Sequence, residues 1–289
     1  MKKALSIILV ILCLVPIFAQ SVVESSSSKS TDLRIVSLAP NVTEMIFAFG
    51  AGDQLVGRTD YCNYPAEALS VTSIGTLWDP NMETILALNA DVAIASSIVD
   101  PSFIENLKKA GIDAYQFYEE DSFDGTFTLI ESVANVIGKQ AEAAKIVSDM
   151  KARVEAVQKK VESVKDRKSV VFMIGYGDWG DYAATGDTYL NGVIEVAGGI
   201  NAAKDGIAWS ISKELLIDQD PDVVILSGYE GMDVAAEIAN FTSLAPYSEL
   251  TASKTGNVYV VDGDAAQRQG VRTADTVEEL ARFLYPELF

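Results

Sequence analysis

The sequence predicts an α/β fold of two Rossmann-like lobes with parallel sheets, joined by one long rigid helix. Three observations carry this. The segment Trp78 to Ile94 is matched 131 positions later by Trp209 to Ile225: in each, Glu follows Trp after five positions, Asp follows Glu after eight, and an apolar strand comes next. Each copy is preceded by another short apolar strand, Arg34–Leu38 or Ser169–Ile174. Between the copies, residues 139–164 contain neither Pro nor Gly and carry an apolar stripe at spacings near three and four. Duplicated α/β units with such a helix midway between them read as two lobes and a bridge, the alternative being an ordinary amphipathic helix within one domain.

Taken in order, residues 1–19 have the form of a secretory signal: Lys2 and Lys3, an apolar run from Ala4 to Phe18, and Ala19 before the cut. The run is shorter than the ~20 residues a spanning helix needs, so export to the periplasm is expected. Cys13 is the residue that lipid would occupy, but Leu12 before it is not small, and anchoring is the lesser expectation. Residues 20–32, with Ser25–Ser28 in a row, form a flexible tether. Residues 33–138 make the N-terminal lobe. There Asn41 and Glu44 have the spacing of a capping box, opening a helix that runs to Phe49. Asp79 and Ser210, each directly after a Trp, are read as N-caps, with Pro80 at the first helical position. The strands Val92–Ala95 and Val223–Leu226 are continuously apolar, as in parallel sheets covered on both faces. The bridge helix, with Ala141, Ala144, Ile146, Val147, Met150, Val154, Val157 and Val161 on its stripe, spans ~39 Å at the usual rise. Residues 165–289 make the C-terminal lobe.

Composition narrows the function. The 289 residues are 49% apolar and 22% charged, with 41 acidic against 22 basic side chains and a net charge of −19. Loss of Lys2 and Lys3 with the leader makes the mature chain two charges more negative. Nucleic acid and anionic lipid are poor partners for such a surface. There is no histidine, which removes Ser-His-Asp and Cys-His catalysis and histidine-held zinc, manganese or haem. Cys62, left alone after leader removal, forms no internal disulfide and reads as a packed residue. Gly175-Tyr-Gly-Asp-Trp-Gly180 fits a dinucleotide fingerprint, yet Asp178 and Asp181 would repel a pyrophosphate and no helix opens there. It is read as a ligand-facing or surface loop. No motif points to an enzyme.

The aromatic residues say more. Trp78 and Trp209 either pack in their lobes or face one another across a cleft, gripping a large flat ligand, with Tyr61, Tyr64 and Trp179 completing an aromatic lining. Glu83 and Glu214 either favour the dipoles of their helices or present one carboxylate per lobe to a partner carrying two symmetric cations.

The segments Arg34 to Glu44, Thr59-Asp-Tyr-Cys-Asn-Tyr-Pro65, Glu83 through Ala95, Ala197-Gly-Gly-Ile-Asn201, Trp209 through Val224 and Arg268-Gln-Gly-Val-Arg272 together resemble one family. It is the class III, helical-backbone substrate-binding proteins of ABC importers for cobalamin, ferric siderophores and haem, and the cobalamin binders are the nearest match. The resemblance implies ligand held in the interlobe cleft and little hinge closure. It further implies a monomer that docks on arginines of a dimeric permease through Glu83 and Glu214. Tyr61, Trp78 and Trp209 would lie against a corrin, with no metal site or resident cofactor of the protein's own. A haem cargo would draw its axial ligand from Tyr61, Tyr64 or Tyr176. An anionic ferric siderophore would need Arg58, Arg268 or Arg272, although Arg272 reads better as a brace for the last helix. A secreted enzyme or adhesion module on the same fold is the alternative from a different class.

Overall fold

The computed structural model describes residues 33–289 apart from 97–98, 119–121 and 179. The leader, the tether, Cys13 and Trp179 therefore lie outside the described residues. Both sheets belong to one compact unit, Asp32–Phe289.

The N-terminal lobe runs β1 (Ile35–Ser37), α1 (Pro40–Ala48), β2 (Leu55–Arg58), α2 (Met82–Ala87), β3 (Val92–Ser96), α3 (Pro101–Lys109), β4 (Asp113–Phe117) and α4 (Gly125–Ile137). Its sheet has the order β2-β1-β3-β4 and is parallel throughout. Gly138, with φ of 73°, ends α4 in the left-handed region where glycine bears no steric cost. The 22-residue helix α5 (Gln140–Val161) follows, about 33 Å long. The C-terminal lobe continues with β5 (Ser169–Gly175), β6 (Asp181–Ala183), α6 (Tyr189–Val196), β7 (Ile200–Asn201), β8 (Ser210–Ile211), α7 (Lys213–Gln219), β9 (Val223–Gly228), α8 (Val234–Ser243), α9 (Thr251–Thr255), β10 (Val258–Asp262), α10 (Gly263–Gln267) and α11 (Thr273–Leu284). Here β10, β9, β5 and β7 are parallel, whereas β6 and β8 form an antiparallel edge that the sequence reading did not include.

Side-chain alternation along the strands divides the apolar residues into three layers. Ile35, Val92 and Ile94 of one sheet and Val170, Phe172, Val223 and Ile225 of the other face a single continuous core with α1, α4, α5, α6 and α11. The opposite faces bury Val36, Ala93 and Ala95 in the first lobe and Val171, Val224 and Leu226 in the second. Helix α5 contributes Ala143, Val147, Met150, Val154, Val157 and Val161 to the shared core and packs on α4 and α11. Its stripe departs from expectation in the first turn, where Ala143 is buried and Ala141 and Ala144 are exposed. The helix begins at Gln140, and its 4-3-4-3-4 repeat from Ala143 brings only that alanine to the core face. Arg153 clamps α5 to α11: its Nε and Nη2 donate to the two carboxylate oxygens of Glu278, at 2.9 and 3.1 Å, and Nη2 also to Asp275 at 2.5 Å. These bonds hold the Glu278 carboxyl below its ordinary range and the Arg153 guanidinium above its own.

The duplication holds at the level of individual contacts. Asn81 and Ser212 both cap their helices by accepting a backbone N–H three residues on, from Thr84 and Leu215. Asn89 and Asp220 both leave the helix with positive φ, 49° and 36°. Asp91 and Asp222 both accept the backbone N–H that opens the neighbouring strand, from Arg34 and Ser169, each at 2.8 Å. The caps are thus three residues after each Trp, not one. Asp79 and Ser210 do not cap, because the chain first uses Pro80 in a bridge to Gly75 and Ser210 in β8.

Candidate functional site

A cleft of about 630 Å³ opens between the lobes. The N-terminal lobe lines it with the turn from Leu38 to Asn41 after β1, with Tyr61, and with Phe117 and Tyr118 at the end of β4. The C-terminal lobe supplies Tyr189, Trp209 and the segment Gln267–Gln269. The N-terminal groups after β1, β2 and β4 follow the carboxyl ends of parallel strands, where open α/β sheets expose backbone and side chains to ligands, whereas Tyr189 opens α6 and Trp209 precedes the antiparallel β8.

Trp209 sits on the cleft wall, half-buried against the shared core. Its backbone is in the left-handed region with φ of 65°, as is Ala208 at 53°. Non-glycine residues held there cost of order 1–3 kcal/mol each and need surrounding bonds to hold them. Those bonds are present. Trp209 N–H donates to Thr185 Oγ1 (3.1 Å), Thr185 Oγ1 donates to Asp187 Oδ1 (2.5 Å), and Ala208 N–H donates to Asp187 Oδ2 (2.9 Å). The Thr185 and Ala208 bonds hold the Asp187 carboxyl below its ordinary range.

On the other side, Tyr61 and Leu77 line the cleft, whereas Trp78, 64% exposed, is not part of the lining and lies beside it against Tyr61. The two rings meet edge to face, 5.3 Å apart at 87°. The Tyr61 phenol has no hydrogen-bond partner among the described residues. Tyr64 faces an adjoining cavity beside Tyr229 and Asp262, with the Arg272 guanidinium 4.3 Å above its ring. It does not join Tyr61 and Trp209. Tyr176 is also elsewhere: its phenol donates to Glu237 (2.7 Å) and accepts from Asn240 (2.8 Å). Burial and the Glu237 bond push that phenol up to about 12. A tyrosine so placed is a poor axial ligand for haem and does not reach the cleft.

The arginines are already engaged. Arg58 braces its own loop, donating to the carbonyls of Ala68 (3.1 Å) and Thr59 (2.9 Å). Arg272 Nε and Nη2 donate to Glu44 at 2.7 and 2.6 Å, and its Nη1 donates to Asp262 at 2.9 Å. Arg268, at the cleft, donates to Glu44 Oε1 (3.0 Å), Asn63 Oδ1 (2.7 Å) and the Tyr61 carbonyl (3.1 Å), and pairs with Asp264 (2.8 Å). Glu44, only 3% exposed, is therefore the hub of an ion-pair cluster crossing from α1 to the C-terminal lobe. It takes no part in a capping box. Helix α1 starts at Pro40 without a side-chain cap. Asn41 instead donates to the Gln269 carbonyl (2.9 Å) across the cleft and accepts from Ser96 (2.6 Å).

Sequence reasoning missed Glu44 because its spacing from Asn41 has a sufficient local explanation. It missed Phe117 and Tyr118 because a strand-end aromatic carries no motif. Cys62 is buried, with its Sγ 3.2 Å from Thr59 Oγ1. Glu83 and Glu214 are exposed in the first turns of α2 and α7 and make no salt bridge or side-chain hydrogen bond among the described residues. Among those residues no group of three His, Cys, Asp or Glu is placed to hold a metal ion, and no helix is long and apolar enough to cross a membrane.

Known proteins share this architecture. A family model described as periplasmic binding protein matches residues 35–265. An uncharacterized ABC transporter substrate-binding lipoprotein of Bacillus subtilis, YvrC, is 31% identical over 90% of this chain and 82% of its own. A cobalamin-binding protein of Halobacterium salinarum is 29% identical over 86% of this chain and 68% of its own. The solved structure of the periplasmic haem-binding protein RhuT from Roseiflexus superposes with a TM-score of 0.78 at 25% identity, covering 89% of this chain and 99% of that one. The vitamin B12-binding protein BtuF of Vibrio cholerae does so with 0.73 at 25%, covering 88% and 96%. Members of this kind are binding proteins of transporters. Two lobes, a long backbone helix and an interlobe cleft agree with the sequence match: this chain belongs to the periplasmic binding protein family, as a class III substrate-binding protein of the ABC-importer type.

Proposed function

We propose that the chain is an exported receptor that captures a corrinoid in the interlobe cleft and hands it to an ABC permease, acting by binding and not by catalysis. The observation that carries the cargo assignment is the electrostatics of the cleft wall. Among the described lining residues the charged side chains are Arg268 and Asp264, and they neutralise each other. The rest of the wall is aromatic or aliphatic apart from the Ser96 hydroxyl and the amides of Asn41, Gln267 and Gln269, uncharged polar groups whose amide N–H donors are bonded to neighbouring residues. An uncharged corrin periphery studded with amides suits such a wall. The carboxylates of a ferric siderophore would find no free cation there, since Arg58 and Arg272 are committed elsewhere. The cobalamin-binding relative from Halobacterium supports the same cargo.

A second reading, haem, is favoured by one specific feature. Tyr61 offers on the cleft a phenol unpaired among the described residues, and the haem-binding RhuT is a close structural neighbour. A calorimetric panel of cyanocobalamin, haem and ferric siderophores separates the two. Saturable binding of cyanocobalamin with quenching of tryptophan fluorescence is expected. Tight haem binding with a Tyr61→Phe-sensitive Soret band would replace the corrinoid assignment.

On this reading the monomeric receptor meets a dimeric permease through Glu83 and Glu214. Joint replacement by Gln should abolish cargo uptake and leave cargo affinity unchanged. The leader ends at Ala19, and intact mass of the exported protein distinguishes this from lipid attachment at Cys13.

A further inference from the structure

The helices that carry Glu83 and Glu214 share another feature. One turn further on, α2 exposes Leu86 and α7 exposes Ile217, at 44% and 43% of their surface. These are equivalent positions in the duplicated segment, as Glu83 and Glu214 are. Single apolar residues on a surface ordinarily need no explanation. Here the same kind of residue, exposed to the same extent, recurs beside the same carboxylate in both lobes, while Ile85 and Leu216 between them are fully buried. At 3.6 residues per turn the side chains at i and i+3 lie about 60° apart around the helix, so each carboxylate and its aliphatic neighbour share a face. The N-caps of Asn81 and Ser212 and the positive φ of Asn89 and Asp220 fix both ends of each short helix in the same way. The two faces are therefore presented on matching local frames.

We infer that Leu86 and Ile217 are apolar anchors that seat in two equivalent hollows of one symmetric permease, each hollow lying beside the cation that meets the adjacent glutamate. This rests on the permease-docking reading of Glu83 and Glu214 and adds to it. The carboxylates steer and orient the encounter, as exposed charges do, and lose their effect in salt. The anchors supply the salt-insensitive part of the affinity by burying their exposed halves. Repetition selects the partner: two like patches suit a protein made of two like subunits.

The test measures binding of the purified, exported protein to membrane vesicles of its native host stripped of the endogenous copy, at low and high salt. Leu86→Asn and Ile217→Asn should each weaken binding about fivefold, by similar factors, at both salt concentrations. The double variant should lose about 25-fold, because the sites are separate. Glu83→Gln and Glu214→Gln should weaken binding chiefly at low salt. Cargo affinity and thermal unfolding should not move in any of these variants. A photocrosslinker placed at 86 or at 217 should attach to the same permease polypeptide. Wild-type affinity in the double Asn variant, or crosslinks to different polypeptides, overturns the anchors. If the glutamate variants also bind like wild type, the docking reading itself fails.

Discussion

The two copies of the duplicated segment follow the same rules and end in different states. Both place a Trp three residues before a side-chain N-cap, then an exposed Glu, a buried aliphatic residue, a left-handed exit and an Asp that pins the neighbouring strand. Yet Trp78 is largely exposed beside the cleft, resting on Tyr61, whereas Trp209 is half-buried on the cleft wall and locked in a left-handed turn. The difference comes from what precedes the helix. In the first copy the chain crosses a loose turn closed by a Gly75–Pro80 bridge. In the second it pairs as β8 with β6, and the Thr185–Asp187 bonds pull Ala208 and Trp209 into place. Equivalent sequence positions thus share helix geometry, yet only the second places its tryptophan in the cleft wall.

The largest effect should come from breaking the polar link between the lobes that carry the copies. Glu44→Ala strips the buried Arg272 guanidinium and the partly buried Arg268 guanidinium of their common partner and should cost about 3–5 kcal/mol, read as a lowered urea midpoint. Glu44→Gln should be milder. If neither moves the midpoint, the lobes are held by the shared apolar core alone.

The comparison of the tryptophans is sharper in cargo affinity. Trp209→Ala should weaken binding more than tenfold and Trp78→Ala only a few-fold, since a preformed wall residue contributes more than one beside the cleft. Equal losses would show that Trp78 closes onto bound cargo.

Asp187→Ala should reproduce part of the Trp209 loss by releasing the turn without touching the cleft surface. Because its carboxyl is held below the ordinary range, the lock should persist through mildly acidic pH. It should fail only as pH falls through that depressed value, as the carboxylate becomes protonated. Cargo affinity that declines well above the ordinary carboxylate range would contradict this.

The smallest effects concern what the copies share. Asn81→Ala and Ser212→Ala should each cost about 1 kcal/mol, by equal amounts.

Much of this was legible beforehand, for reasons that particular residues make plain. Gly138 and the Pro-free, Gly-free run of α5 mark their element boundaries through backbone preference, which is local. The continuously apolar runs Val92–Ala95 and Val223–Leu226 read as strands covered on both faces and form the buried parts of β3 and β9. The caps were placed two residues early because Asp79 and Ser210 have suitable side chains. Pairing of the preceding residues with distant strands, invisible in a local window, decided otherwise.

The sequence by itself determined the long helix, the central buried strands, the duplication and the family, because turn chemistry, helical periodicity and recurrent spacing act over a few residues. Only the tertiary structure decided which aromatics share a cleft, that Arg268 and Arg272 are spent on Glu44, and that Tyr64 and Tyr176 face elsewhere. For Tyr64 and the two arginines those outcomes depend on groups more than two hundred residues apart meeting across the lobes, and for Tyr176 on Glu237 and Asn240, about sixty residues on in its own lobe. Which charge remains free to greet a ligand is a property of that meeting.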